Sequence, residues 1–83
     1  MNAKTRKYID LDTRYGANNY APLPIVIERG RGVFVYDVEG RRYFDMLSAY
    51  SALNQGHNHP AIAAAANAQL GKLTLTSRAF HNT

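Results

Sequence analysis

The stretch Val33-Phe-Val-Tyr-Asp-Val-Glu-Gly-Arg-Arg-Tyr-Phe-Asp45 decides the fold. Its two arms, residues 33–37 and 41–45, are rich in the β-branched and aromatic side chains that favour strands. Between the arms, Asp37-Val-Glu-Gly40 ends in a glycine, which can take the positive φ that a tight connection needs. The pattern predicts an antiparallel β-hairpin.

The segments before the hairpin are less regular. Tyr20-Ala-Pro-Leu-Pro24 is predicted to be extended, because a proline disfavours the helical region for the residue before it. Ile25-Val-Ile27 is typical of a short β segment. Residues 1–19 show no sustained periodicity, which predicts an irregular lead-in with at most one helical turn.

A helix is predicted after the hairpin. Pro60 suits the first position of a helix, with His59 or Asn58 as the capping residue. The alanine-rich sequence to Leu70 has high helix propensity, and Gly71 is a suitable stop.

Composition limits the size and class of the protein. Eighty-three residues make at most one small domain, and the absence of cysteine excludes disulfides and thiolate metal sites. No apolar run approaches the roughly 20 residues needed to span a bilayer, and no signal-peptide core is visible. We therefore expect no membrane partner, and the cytoplasm is the default location.

The net charge of +4 raises the question of nucleic acid. The basic residues are scattered along the chain rather than clustered in a stripe, which favours solvated surface charge. They include Lys4, Arg6, Lys7, Arg29, Arg31, Arg41, Arg42, Lys72 and Arg78.

The candidate site is the polar loop from Ser48 to Pro60, where hydroxyl, amide and imidazole groups gather between two regular elements. Tyr50 lies in this loop and Tyr20 lies in the extended segment. A phenol offers a flat apolar wall with a polar tip, which suits a small zwitterionic ligand. From the residues alone, tyrosines packed at a domain edge are the favoured interpretation.

Two other kinds of site are not favoured. His57 and His59 are two residues apart, but a metal site needs three or four ligands, and neither cysteine nor a neighbouring carboxylate is available in the sequence. His59 is expected to pack or cap at the helix start, and His57 to hydrogen-bond within the loop. The serines lie in no recognisable nucleophile motif.

Several motifs together resemble a known family. They are Asn19-Tyr-Ala-Pro-Leu-Pro24, Asp37-Val-Glu-Gly40, Tyr43-Phe-Asp45, Leu47-Ser-Ala-Tyr-Ser-Ala52, Asn54-Gln-Gly-His-Asn-His-Pro60 and Lys72-Leu-Thr-Leu-Thr-Ser-Arg-Ala-Phe80. Across residues 15–82 the chain closely resembles the ornithine aminotransferase family, a class III group of pyridoxal-phosphate-dependent aminotransferases of fold type I.

The resemblance implies a fold. It predicts an α+β piece of the N-terminal small domain, with a hairpin or short antiparallel sheet and one helix, incomplete as a domain. Residues 1–19 would form the lead-in and residues 20–83 the small-domain segment, without the large cofactor domain. Its implied partners are that large domain and the second subunit of a homodimer.

The resemblance also implies a reaction. In the full enzyme, the δ-amino group of ornithine passes to pyridoxal phosphate and then to 2-oxoglutarate, giving glutamate 5-semialdehyde, which cyclises to pyrroline-5-carboxylate. By position, Tyr20 resembles the family's tyrosine at the α-amino-acid end of ornithine, and Tyr50 resembles the second pocket tyrosine that shapes substrate choice.

The catalytic groups of the family lie in its large domain. Lys4, Lys7 and Lys72 do not match the surroundings of its cofactor lysine. A truncated or split ornithine aminotransferase that supplies pocket wall and interface, inactive alone and without covalently bound pyridoxal phosphate, is therefore the expectation. Two alternatives stay open: an interaction piece that complements a separately encoded C-terminal part, and a small basic nucleic-acid binder.

Overall fold

The computed structural model describes residues 1–83 and contains one antiparallel sheet with helices on either side of it in sequence. The elements in chain order are α1 (Ala3–Tyr15), β1 (Ile27–Arg31), β2 (Phe34–Asp37), β3 (Arg42–Phe44), α2 (Ser48–Ser51) and α3 (Pro60–Leu70). No helix is both long and apolar enough to cross a membrane.

The sheet has the order β1-β2-β3 and is built on the predicted hairpin. Phe34 lies opposite Phe44 across the hairpin, and their ring centroids are 5.0 Å apart. Gly40 takes φ of +88° in the connecting turn, as its position in the sequence predicts. Strand β1 starts two residues later than the predicted β segment 25–27, because it pairs with β2 through residues 27–31.

One carboxylate organises the turn of the hairpin. Asp37 is 2% exposed and accepts hydrogen bonds from the backbone N–H groups of Glu39 and Arg41, from the Arg41 guanidinium and from the Tyr43 hydroxyl. Burial alone would raise the pKa of Asp37, but these four donors outweigh it and lower the pKa to about 2. The hairpin is therefore closed around an ionised carboxylate.

This arrangement predicts a pH dependence for the stability of the hairpin. The pKa of an aspartate in an unfolded chain is about 3.9. As the pH falls, the unfolded state is therefore protonated at Asp37 before the folded state is. The stabilisation by Asp37 should be complete above about pH 4 and lost as the pH falls through about 2. Carboxyl carbon NMR of the 83-residue chain should place the Asp37 midpoint near 2, and Tyr43→Phe should raise it. A midpoint near 4 in both proteins would contradict the prediction.

The expectation of an irregular lead-in is wrong for residues 3–15, which form the 13-residue helix α1. Asn2 caps this helix, because its side chain accepts a hydrogen bond from the N–H of Thr5 at 3.0 Å. The Thr5 side chain is buried and its hydroxyl donates to Glu39 in the hairpin turn at 2.5 Å. A contact with a residue far along the chain therefore supports the helix, and such a contact is not visible in the local sequence. The sequence indicated one helix, the one that begins at Pro60, whereas the structure also contains α1 and the short α2.

The core is small for the length of the chain. Only four residues are buried, namely Val35, Val38, Thr5 and Asp37. The accessible surface is 7387 Å², whereas a compact monomer of 9.3 kDa exposes about 5,000 Å². The radius of gyration is 16.4 Å, against about 12 Å for a compact domain of this length. Much apolar surface is left uncovered, which fits the expectation of an incomplete domain.

Candidate functional site

The polar loop from Ser48 to Pro60 begins with a left-handed turn. All four residues of α2 have positive φ, with values of 50° for Ser48, 49° for Ala49, 57° for Tyr50 and 74° for Ser51. For a residue other than glycine this conformation costs roughly 1–2 kcal/mol. Such strain persists only where surrounding contacts enforce it, and it is concentrated at functional sites.

The left-handed turn presents Tyr50 to solvent. Its side chain is 90% exposed, so it does not pack at a domain edge within these 83 residues. Tyr20 is 81% exposed and lines a groove of about 720 Å³ between α1 and the extended segment 17–26. Tyr50 is not part of this groove. The structure therefore leaves both phenols available to a ligand or to another protein surface, but does not bring them into one pocket.

A carboxylate and an imidazole support the start of the left-handed turn. Asp45 Oδ1 accepts hydrogen bonds from the N–H groups of Leu47 at 3.1 Å and Ser48 at 2.9 Å. Its other oxygen, Oδ2, lies 2.6 Å from His57 Nε2. The Ser48 N–H, with the His57 ring, holds the pKa of Asp45 below its usual value against the opposing effect of burial. Because an ionised carboxylate only accepts, His57 Nε2 carries the hydrogen that it donates.

His57 is itself fixed on the sheet. Its backbone exchanges two hydrogen bonds with Gly32, of 2.8 and 3.0 Å, in an isolated bridge. Its ring lies on Gly30, where a β-carbon would come within 2.7 Å of His57 Cγ. Gly30 thus allows the close approach of the His57 ring to β1.

The Asp45–His57 pair was missed at the level of sequence. We expected His57 to hydrogen-bond within its own loop, and the structure places its partner at the end of the hairpin, 12 residues earlier. A polar residue at a strand end, followed by a loop that returns to the same strand edge, is the signal that could have indicated it. His59 caps α3 as predicted, with Nδ1 accepting from the N–H of Ala61 at 3.2 Å.

The basic side chains are largely engaged in local contacts. Arg29 lies 4.0 Å from the centre of the Tyr36 ring and Arg42 lies 4.5 Å from that of Phe34. Lys4 pairs with Glu28 at 3.8 Å. The two arginines thereby cover the aromatic face of the sheet.

The residues present do not fit a pyridoxal-phosphate site. All three lysines are exposed, and although Lys7 lines a shallow groove on α1 with Arg6 and Arg14, that groove offers no aromatic wall for a pyridine ring. No three or more His, Asp or Glu side chains converge as metal ligands. What the segment offers is two exposed phenols, one of them on a strained and well-supported turn.

Comparisons with known proteins agree on one family. The model of the family Aminotransferase class-III matches residues 15–83. The ornithine aminotransferase of Geobacillus sp. (strain WCH70) is 61% identical over 80 residues, which is 96% of this chain and 20% of the relative. The mitochondrial ornithine aminotransferase of Drosophila melanogaster is 65% identical over 71 residues, which is 86% of this chain and 16% of the relative.

A solved structure shares the fold as well as the sequence. The crystal structure of acetylornithine aminotransferase from Elizabethkingia anophelis matches with a TM-score of 0.85 and 58% identity, covering 95% of this chain and 21% of that one. The chain thus spans about a fifth of the length of the relatives it matches.

Proposed function

The chain belongs to the class III aminotransferases, a family that uses pyridoxal phosphate, and from this we propose that its 83 residues form the N-terminal part of an ornithine δ-aminotransferase. The observation that carries the proposal is the identity of 61% and 65% to proteins of that name across most of the chain. The amino acceptor in this proposal is 2-oxoglutarate.

In this enzyme the segment supplies pocket wall and interface, and the rest of the protein supplies the chemistry. Pyridoxal phosphate, when bound elsewhere in the enzyme, withdraws electrons from the amine carbon and carries the amino group between substrates. Tyr20 contacts the α-amino-acid end of ornithine, so that its distant δ-nitrogen reaches the reacting position, and Tyr50 is the second pocket tyrosine, which shapes substrate choice. Their high exposure in this segment supports a role completed by other parts of the enzyme.

The uncovered surface supports the interface role. The excess over a compact monomer is about 2,400 Å², which lies in the range of obligate interfaces. Exposed apolar side chains are spread over the segment, including Phe44, Met46, Leu47, Leu75 and Phe80. We propose that the large domain and the second subunit cover them, whether the two parts are joined in one chain or encoded separately.

One observation favours a second amino donor. The solved relative with a TM-score of 0.85 is an acetylornithine aminotransferase, and N-acetylornithine differs from ornithine in the group at its α-nitrogen. In our proposal Tyr20 contacts that end of the substrate and Tyr50 shapes the choice of substrate. The two donors must therefore be compared directly.

The proposal is tested in a joined enzyme, defined as residues 1–83 fused in register to the part of the Geobacillus ornithine aminotransferase that follows the matched segment. We expect δ-transamination of ornithine to 2-oxoglutarate, with at least about tenfold higher kcat/KM than for N-acetylornithine. The 83-residue chain alone is the control and should show neither turnover nor a pyridoxal-phosphate absorbance band. A preference for N-acetylornithine, or activity of the control, would contradict the proposal.

A further inference from the structure

Tyr50 lies on a segment that does not hold its shape by itself. Within the left-handed turn, the N–H groups of Ser51, Ala52 and Leu53 donate to the carbonyls of Leu47 at 3.3 Å, Ala49 at 3.2 Å and Ser48 at 3.0 Å. These three bonds do not offset four residues in a conformation that each disfavours. A contact from outside the turn is needed. It must act at the first residue of the turn, where the backbone φ changes from negative at Leu47 to positive at Ser48.

Asp45 provides that contact. Its Oδ1 accepts from the two N–H groups that lead into the turn, those of Leu47 and Ser48. A carboxylate that accepts several backbone hydrogen bonds fixes the direction of the chain, because each bond requires its own geometry. The exit of the chain from β3 and the orientation of Tyr50 are thus linked through one side chain.

His57 fixes Asp45 to the sheet. Its ring donates to the second oxygen, its backbone is paired with Gly32, and its ring is pressed on Gly30. The pair is only partly accessible, with Asp45 19% and His57 21% exposed. With one nitrogen bonded to Asp45 and the ring face on the sheet, His57 is placed to orient a carboxylate rather than to meet a substrate.

We propose that Asp45 and His57 are positioning residues that set the place of Tyr50 in the substrate pocket, an inference that rests on the proposed function, in which Tyr50 contacts ornithine. They act through the left-handed turn and not on the reacting atoms. The pair thereby contributes to the choice of a long diamine donor. Glutamate reacts through its own α-amino group and has no distant amino-acid end for Tyr50 to hold.

The test uses the joined enzyme carrying His57→Gln. Since small displacements of a binding group have large kinetic effects, we expect kcat/KM for ornithine to fall by about tenfold, mainly through KM. The rate of the half-reaction with glutamate should change less than about twofold. His81→Gln is the matched control, because His81 is an exposed histidine outside the polar loop, and it should leave both substrates unaffected.

A double-mutant cycle separates positioning from general structural support. In a Tyr50→Ala background, His57→Gln should have no further effect on ornithine, because the group that it positions is already gone. Additive losses, equal losses for ornithine and glutamate, or no loss at all would each overturn the proposal.

A second measurement decides the matter independently of turnover. In the joined protein with His57→Gln, amide hydrogen exchange should become faster at residues 47–53 and stay unchanged in β2 and β3. An unchanged rate at residues 47–53 would overturn the positioning role even if the joined enzyme proved inactive. Inactivity of the unsubstituted joined enzyme would instead count against the proposed function alone.

Discussion

Replacing Gly30 with valine should detach the loop around His57 from the sheet. A β-carbon at this position would come within 2.7 Å of His57 Cγ and 2.9 Å of His57 Nδ1, distances that no relaxed structure tolerates. Since the atoms in contact include the β-carbon of a residue whose backbone is paired with Gly32, the ring cannot simply rotate away. Overpacking of this kind costs about 1–3 kcal/mol, which corresponds to roughly a 5- to 150-fold increase in local opening.

The measurement is amide hydrogen exchange at Gly32 and His57 in the joined enzyme, where both N–H groups take part in the bridge. Both N–H groups should exchange roughly 5- to 150-fold faster in the Gly30→Val protein than in the unsubstituted one, under conditions where exchange reports the opening equilibrium. Gly71→Ala is the control, since its nearest neighbour would be 3.6 Å away and its φ is −76°. Equal protection in the Gly30→Val and unsubstituted proteins would show that the ring does not rest on Gly30.

Replacing Tyr50 with alanine should lower kcat/KM for ornithine by about 10- to 100-fold. The side chain is a large exposed phenol on a strained turn, and a pocket contact that includes a hydrogen-bonding tip is worth an effect of that order. Its loss removes both an apolar wall and a polar partner from one end of the substrate. The glutamate half-reaction should stay within about twofold of the unsubstituted value.

Steady-state kinetics of the joined enzyme with ornithine, and stopped-flow measurement of the glutamate half-reaction, check this prediction. Tyr50→Phe separates the hydroxyl from the ring. Tyr15→Ala is a matched control, because Tyr15 is another exposed tyrosine, 74% accessible, on α1. A similar loss for ornithine and glutamate would place Tyr50 in general support of the fold and outside substrate choice.

Local features of the sequence predicted the elements that depend on local physics. The turn at Gly40 and the start of α3 at Pro60 follow from backbone preferences of single residues, and the structure confirms both. The class III resemblance and the α+β architecture are likewise confirmed, because the matching motifs extend over most of the chain.

Features that depend on distant contacts could not be predicted in the same way. Helix α1 is held by the bond from Thr5 to Glu39, 34 residues later. The Asp45–His57 pair joins residues 12 apart and requires the return of the loop to the sheet. The roles of Tyr20 and Tyr50 stay predictions, since both side chains are exposed and, in our proposal, the pocket is completed by groups outside these 83 residues.

The small core has a consequence for the order of events on the ribosome. In the proposed enzyme of the relatives' length these residues are made first, and the remaining four-fifths follow at about 5–20 residues per second. The nascent segment would then wait for tens of seconds with apolar side chains such as Phe44, Leu47 and Leu75 in water. We therefore expect a chaperone that shields nascent chains to protect it from aggregation during that interval, because its own core is small.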